Sequence, residues 1–333
     1  MRTASTGLIN RRSTNMRLLK YFSLSILILL VVFAAIAWRF VSGHFPDRDE
    51  QYRARMEYLP MPPSASEDYA DAAWRWPLST FYNPFLEQGP YLLTYPVARE
   101  KPVAAVLILP GGGYFFRSEK YEGIEIADWL NAQGIAGFVL NYRLKLHPAP
   151  LDDTQLAMRY LREHAQRYNI DPQRIGIMGF SAGGHLAAAA STLYQQGQPA
   201  SLQPLLRHST RPDFSVLAYA VTSLTDSAHA GIRGNLLGEN PDPELINLLS
   251  AERHVTSDTP PAFVWTAKTD SIVPFQNSVI YSQALEAAGV PVETHIYPEG
   301  RHGSALAEKE EYARTWPAQW LSWLKKMDIH PID

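Results

Sequence analysis

Seven short apolar runs recur between residues 91 and 298, and five of them are followed by a longer stretch with helix-like spacing of its apolar positions. The runs are YLLTYPV (91–97), AAVLIL (104–109), IAGFVLNY (135–142), RIGIMGF (174–180), FSVLAYA (214–220), AFVWTAK (262–268) and VETHIYP (292–298). They are short, nearly continuous in apolar character and partly β-branched, as strands buried on both faces are. Helices are predicted between and after them over 121–133, 153–168, 182–195, 275–288 and 307–326. Leu156, Met158, Tyr160 and Leu161 mark the second of these, and Asp152 and Asp153 stand where its N-cap is expected. Strand and helix alternating along this length predict an α/β protein with a mostly parallel sheet and helices on both faces.

Upstream the pattern differs. Tyr21–Trp38, YFSLSILILLVVFAAIAW, carries no charge and has about the length of a bilayer-spanning helix. Arg2, Arg11, Arg12, Arg17 and Lys20 precede it, while Arg39 and Arg48 are the basic residues closely following. That asymmetry predicts a cytoplasmic N-terminus and places the rest of the chain outside the cytoplasm, on the periplasmic side. A retained anchor and a cleaved signal peptide both remain open. Ala35-Ile36-Ala37 resembles a cleavage site, and a start at Met16 would leave the short basic leader MRLLK. The length of the apolar run favours the anchor. Residues 1–20 are thus expected as a basic leader, 21–41 as a single transmembrane anchor or signal helix, 42–90 as a connector and N-terminal wrap, and 91–333 as the α/β domain.

Composition narrows the function. The 333 residues include 46% hydrophobic and 19% charged positions, normal for a chain that buries a core. A formal net charge of −3 and no basic stripe interleaved with aromatics argue against nucleic-acid binding. With no cysteine there can be no disulfide, thiolate metal site or cysteine nucleophile. No cluster has metal-ligand spacing, and no cofactor is expected.

Chemistry concentrates at three places. Gly179-Phe180-Ser181-Ala182-Gly183 is a G-x-S-x-G sequence that closes the strand RIGIMGF and opens the Ala-rich stretch AGGHLAAAAST. This is the setting of a nucleophile elbow, where a strained strand-to-helix turn presents a serine at the sheet edge. A serine hydroxyl needs a base, and the base an orienting acid. In chain order Ser–Asp–His, Asp270 follows the strand AFVWTAK and His302 follows VETHIYP. Asp226 competes as the acid. His295 lies within a strand, His185 within the elbow helix, and His147, His229 and His254 precede Asp270. Third, Pro110-Gly111-Gly112-Gly113-Tyr114 directly follows AAVLIL. Its amides can approach an oxyanion unobstructed, so Gly112 or Gly113 together with Ala182 are the expected oxyanion donors. The spacing fits neither dinucleotide- nor phosphate-binding glycine motifs. Tyr114, Phe115 and Phe116 are candidates either for an acyl pocket or for the core.

The runs PGGGYFFRSEKYEGIEIADWLNAQGIAGFVLNYRL, IDPQRIGIMGFSAGGHLAA and TPPAFVWTAKTDSIVPFQNSVIYSQALEAAGVPVETHIYPEGRHG resemble the acetylxylan-esterase-like branch of the α/β-hydrolases. That branch is related to the hormone-sensitive-lipase-type esterases and linked with plant-polysaccharide breakdown. The similarity spans about residues 91–326 and includes NLLGENPDPE. It implies the α/β-hydrolase fold, Ser181 as nucleophile, Asp270 as acid, His302 as base and Gly111–Gly113 as oxyanion support. The expected activity is hydrolysis of short-acyl esters, foremost acetyl, on a small molecule or glycan. Rival readings are a prolyl-oligopeptidase-type serine peptidase, a general carboxylesterase, and a membrane-anchored binding module without catalysis. No propeller precedes the domain, which argues against the first.

Overall fold

Val103–Leu109 is the strand at the centre of the architecture, and all seven of its residues are buried. Successive side chains of a strand point to opposite faces, and here they feed two different cores. Ala105, Leu107 and Leu109 join one core, while Ala104, Val106 and Ile108 join the other. A strand covered on both sides needs helices on both sides, and the flanking sequence supplies them.

The computed structural model describes residues 32, 39, 40, 44, 46–60, 89–144, 146–225 and 230–329. The chain divides into two compact units, Met1–Pro46 and Asp47–Asp333. The expected transmembrane or signal helix falls in the first and lies almost wholly outside the described residues. No helix among the described residues is long and apolar enough to cross a membrane.

The strands of the second unit are β1 (Met56–Tyr58), β2 (Tyr91–Tyr95), β3 (Val103–Leu109), β4 (Ala136–Asn141), β5 (Ile170–Phe180), β6 (Ser215–Ala218), β7 (Ala262–Ala267) and β8 (Val292–Tyr297). They form one sheet in the order β1-β2-β4-β3-β5-β6-β7-β8. The β1–β2 and β2–β4 pairs are antiparallel and the rest parallel. This is an α/β-hydrolase fold with an eight-stranded, mostly parallel sheet.

The helices are α1 (Glu50–Ala54), α2 (Glu125–Ala132), α3 (Ala149–Glu163), α4 (Ala165–Tyr168), α5 (Ala182–Thr192), α6 (Ala230–Leu237), α7 (Pro243–Leu248), α8 (Gln276–Ala287) and α9 (Trp316–Lys326). Met158 and Leu161 of α3, Ala187–Ala190 of α5, and Tyr281 and Leu285 of α8 fill the first core. Ile126 and Leu130 of α2 and Trp316, Trp320 and Trp323 of α9 fill the second. Trp316 stacks on Trp265 of β7 with centroids 5.3 Å apart. Each fully buried aromatic side chain is worth on the order of 3 kcal/mol, so the three tryptophans dock the last helix firmly.

The structure corrects the sequence reading in three places. Asp153 does not cap a helix. The helix begins at Ala149 with Pro150 in its first turn, and Asp153 lies inside it, fully buried. Its carboxylate accepts from the Arg143 backbone N–H at 2.8 Å and lies 2.7 Å from the Arg143 guanidinium. Burial pushes the Asp153 carboxyl up and Arg143 opposes that. Removing one partner of such a pair costs about 3–5 kcal/mol, because the other charge is left buried alone.

The last helix starts at Trp316 rather than near 307. Gly303, Ala305 and Ala307 have positive φ values of 71°, 50° and 56°, which no helix accommodates. Pro317 then sits in the first turn, where its missing N–H costs nothing.

The helix predicted over 121–133 opens instead with a wide π-type turn over Lys120–Ile124. Ile124 N–H donates to Glu119 O, five residues back, at 2.8 Å.

Candidate active site

Four strand ends on one edge of the sheet supply the site: those of β3, β5, β7 and β8. At the end of β5 the chain turns sharply into α5 through Ser181, whose φ of 53° and ψ of −116° lie outside the ordinary regions for an L-residue. The neighbouring glycines explain how this is accommodated. A Cβ on Gly179 would come within 2.1 Å of Gly183 O, and one on Gly183 within 2.0 Å of Leu109 O. Strand and helix therefore touch backbone to backbone, which only glycine permits. Ser181 N–H donates to Ala218 O at 3.0 Å, fixing the turn to β6.

Asp270 follows β7. Its Oδ1 accepts from the amides of Ile272 and Val273, both at 2.9 Å, which orients the carboxylate and leaves Oδ2 for another donor. That donor is His302 Nδ1, at 2.7 Å. Because a carboxylate only accepts, Nδ1 carries the proton and Nε2 presents a lone pair. Ser181 Oγ is 2.8 Å from that Nε2 and donates to it. The Asp270 side chain is 2% exposed and that of His302 11%, so the relay is largely shielded from water. Gly300 N–H donates to Thr269 Oγ1 at 3.0 Å, joining the loops that carry acid and histidine.

After β3 the glycine loop is held from behind. In a trans peptide the N–H points opposite to the preceding C=O. Gly111 O accepts from Ser118 N–H, and Gly112 O from the Phe115 and Phe116 amides, at 2.9–3.1 Å. The N–H groups of Gly112 and Gly113 therefore face the other way. No acceptor among the described residues takes them or the Ala182 amide. Ala182 opens α5, where amides are unpaired and the helix dipole favours negative charge. A Cβ on Gly111 would lie 2.9 Å from Ser181 Cβ, so loop and serine are in direct proximity. Gly112, with φ of 129°, needs glycine for its conformation as well.

The other singled-out residues separate from this cluster. Asp226 and His229 lie outside the described residues. His185 is fully buried. Its Nε2–H donates to Leu249 O at 2.8 Å and its Nδ1 accepts from Tyr114 O–H at 2.7 Å, and burial lowers its pKa to about 4. Tyr114 therefore packs in the core, while Phe115 is exposed. His295 is paired with Glu293 in β8, and His254 Nε2 lies 2.9 Å from Asn247 O. Among the described residues no group of three or more His, Asp or Glu could hold a metal ion.

Two residues that motif reading passed over border the site. Glu122, in the π-type turn, accepts from Gly111 N–H at 2.8 Å and from Tyr219 O–H at 2.7 Å. Tyr219, just after β6, places its ring 4.9 Å from that of His302, edge to face. Glu122 stands in KYEGIE, where scattered charges read as a solvated helix face. In the structure it is buried within the wide turn.

The BD-FAE family profile matches residues 93–285. An acetylxylan esterase of Xylanibacter ruminicola is 37% identical over 230 residues, covering 67% of this chain and 45% of that protein. An endo-1,4-beta-xylanase B of Butyrivibrio fibrisolvens is 33% identical over 62% of this chain and 33% of its own length. The chain thus spans less than half the length of these two relatives. Among solved structures, an acetyl ester-xyloside bifunctional hydrolase of Caldicellulosiruptor lactoaceticus superposes with a TM-score of 0.74 at 40% identity, covering 83% of this chain and 97% of that one.

Proposed function

Because the chain belongs to the BD-FAE family, we propose that it is a serine carboxylic-ester hydrolase acting on short-acyl, foremost acetyl, esters of carbohydrates. The observation that carries this reading is the continuous relay from Ser181 Oγ through His302 to Asp270, at 2.8 and 2.7 Å. Ser181 attacks the ester carbonyl as His302 Nε2 takes its proton. Asp270 keeps the imidazole in the accepting tautomer and stabilises the imidazolium. The amides of Gly112 or Gly113 and of Ala182 receive the oxyanion of the tetrahedral intermediate. His302 then protonates the leaving alkoxide, and water hydrolyses the acyl-enzyme by the same route in reverse. None of these steps calls on a cofactor.

The acyl preference is supported by what lies between β6 and β7. The helices described there, α6 and α7, have eight and six residues. Ile232 and Leu236 of α6 turn into the core, leaving that helix no apolar face to serve as a lid. Asn235 of the same helix donates to Gly113 O at 2.8 Å, so a polar side chain touches the glycine loop. A long acyl chain gains about 0.8 kcal/mol for each methylene buried, and such a mouth offers little surface to bury it. The carbohydrate part is supported by the likeness to the acetylxylan esterase and the acetyl ester-xyloside hydrolase. Over acetyl to dodecanoyl p-nitrophenyl esters, kcat/KM is expected to fall with chain length, and acetylated xylan or acetylated sugars should release acetate. A rise toward long chains, or no release from any acetylated glycan, would replace this reading with a general carboxylesterase.

The same proposal places the catalytic domain outside the cytoplasm, tethered to the membrane or released. Support comes from the basic residues ahead of the uncharged run Tyr21–Trp38. Alkaline phosphatase fused after residue 45 is expected to be active, and an inactive fusion rejects the placement. A mature chain starting at Trp38 would identify the run as a cleaved signal.

A further inference from the structure

Glycine loops carry no side chains with which to fix themselves, so the direction of their amides must be imposed from outside. In this molecule one imposing group is a carboxylate, which is an expensive thing to bury. Glu122 is 3% exposed and Tyr219 1%. The hydrogen bonds run in a single direction toward Glu122. Ala305 N–H donates to Tyr219 Oη at 3.0 Å, the Tyr219 hydroxyl donates to Glu122 Oε1 at 2.7 Å, and Gly111 N–H donates to Glu122 Oε2 at 2.8 Å. Burial, reinforced by the Glu122 charge, holds the Tyr219 phenol protonated well above the usual range, so it remains a donor. The chain's two ends matter most. Gly111 begins the oxyanion loop and touches Ser181. Ala305 lies three residues past His302, in a left-handed conformation that Trp316 Nε1–H also holds by donating to Ala305 O at 3.0 Å. Midway, the Tyr219 ring packs against the His302 imidazole.

We infer that Glu122 and Tyr219 are positioning residues, which hold the oxyanion loop and the His302 loop in one register so that proton transfer and oxyanion stabilisation are aligned at Ser181. The inference rests on the esterase reading and deepens it. Neither residue touches the reacting atoms of the ester; both act through Gly111 and His302. A carboxylate suits this place because it accepts twice and donates nothing, so both neighbours must point at it. Displacing either loop by about 1 Å costs on the order of 100-fold in rate.

The test compares Tyr219→Phe, Glu122→Leu and Glu122→Gln in the full chain, using p-nitrophenyl acetate turnover and the rate at which a fluorophosphonate labels Ser181. Tyr219→Phe keeps the ring on His302 but strands the Ala305 amide, and kcat should fall about 10-fold with KM within about twofold. Glu122→Leu should lower kcat by about 100-fold, again with little change in KM. Glu122→Gln can still accept from Gly111 and donate to the Tyr219 oxygen, so it should recover most of that loss. Labelling rates should follow kcat. Should Glu122→Leu fail to fold, Tyr219→Phe still decides. Wild-type kcat and labelling in Tyr219→Phe overturn the inference, as does a loss confined to melting temperature. A wild type that labels at Ser181 yet hydrolyses no ester would instead sink the esterase reading, and the variants' labelling rates would still judge the pair.

Discussion

Replacing Ser181 by alanine is expected to lower ester hydrolysis by about 10⁴-fold or more while leaving the fold intact. The size follows from the way a nucleophile and its base act as one unit, so that losing either removes nearly all of their joint effect. The fold should survive for structural reasons. Alanine keeps the Cβ, and the backbone bonds that shape the elbow, Ser181 N–H to Ala218 O and His185 N–H to Ser181 O, do not involve the hydroxyl. Only the bond to His302 Nε2 is lost. A fluorophosphonate should label the wild type at Ser181 and leave the variant unmarked, with matching circular dichroism and melting curves. Turnover near wild type, or labelling at another residue, would remove Ser181 from the mechanism.

Asp270→Asn should be nearly as damaging, by a route that involves no change of shape. Oδ1 of Asp270 takes two backbone N–H groups, and Oδ2 takes the imidazole N–H. An asparagine oxygen will go to the paired amides of Ile272 and Val273, which forces its NH₂ toward His302 Nδ1. The imidazole must then accept at Nδ1 and carry its proton on Nε2, where it can no longer take one from Ser181. In serine proteases the corresponding exchange costs about 10⁴-fold in kcat, and a similar loss in kcat is expected here with binding little affected. Asp226→Asn is the control, and it should keep most of the activity. A crippled Asp226→Asn beside an active Asp270→Asn would make Asp226 the acid.

How far the sequence could be read depended on how local each signal was. Each of the seven apolar runs has a strand in the sheet, and the central ones stood out because burial on both faces leaves a nearly uninterrupted apolar string. β1 escaped notice because Met56-Glu57-Tyr58 is too short to show a period and owes its conformation to pairing with β2. Ser181, Asp270 and His302 stood out because chain order and strand-end position are visible in one dimension, and the structure brings those three together. Asp153 was misread because an aspartate pair ahead of a helical pattern resembles a cap, and Arg143, its actual partner, is on the loop after β4. Glu122 and Tyr219 had no local signature at all. Their roles come from a π-type turn and from a loop that contacts them from far along the chain, which spacing alone cannot report.

The two borders of the sheet bear on how this protein behaves at high concentration. An exposed strand edge is a template for another chain, and long flat apolar edges invite fibrous self-association. At one border β1 covers β2 with a ladder of only three residue pairs. Its middle residue, Glu57, is held by Arg167 at 2.8 Å. At the other, β8 presents Glu293 and His295, with Lys326 reaching Glu293 at 3.0 Å. An incoming strand would meet a short, charged border on either side, and would have to strip water from ions before gaining a backbone hydrogen bond. Colloidal stability is thus built into the rims of a sheet whose interior is almost wholly apolar.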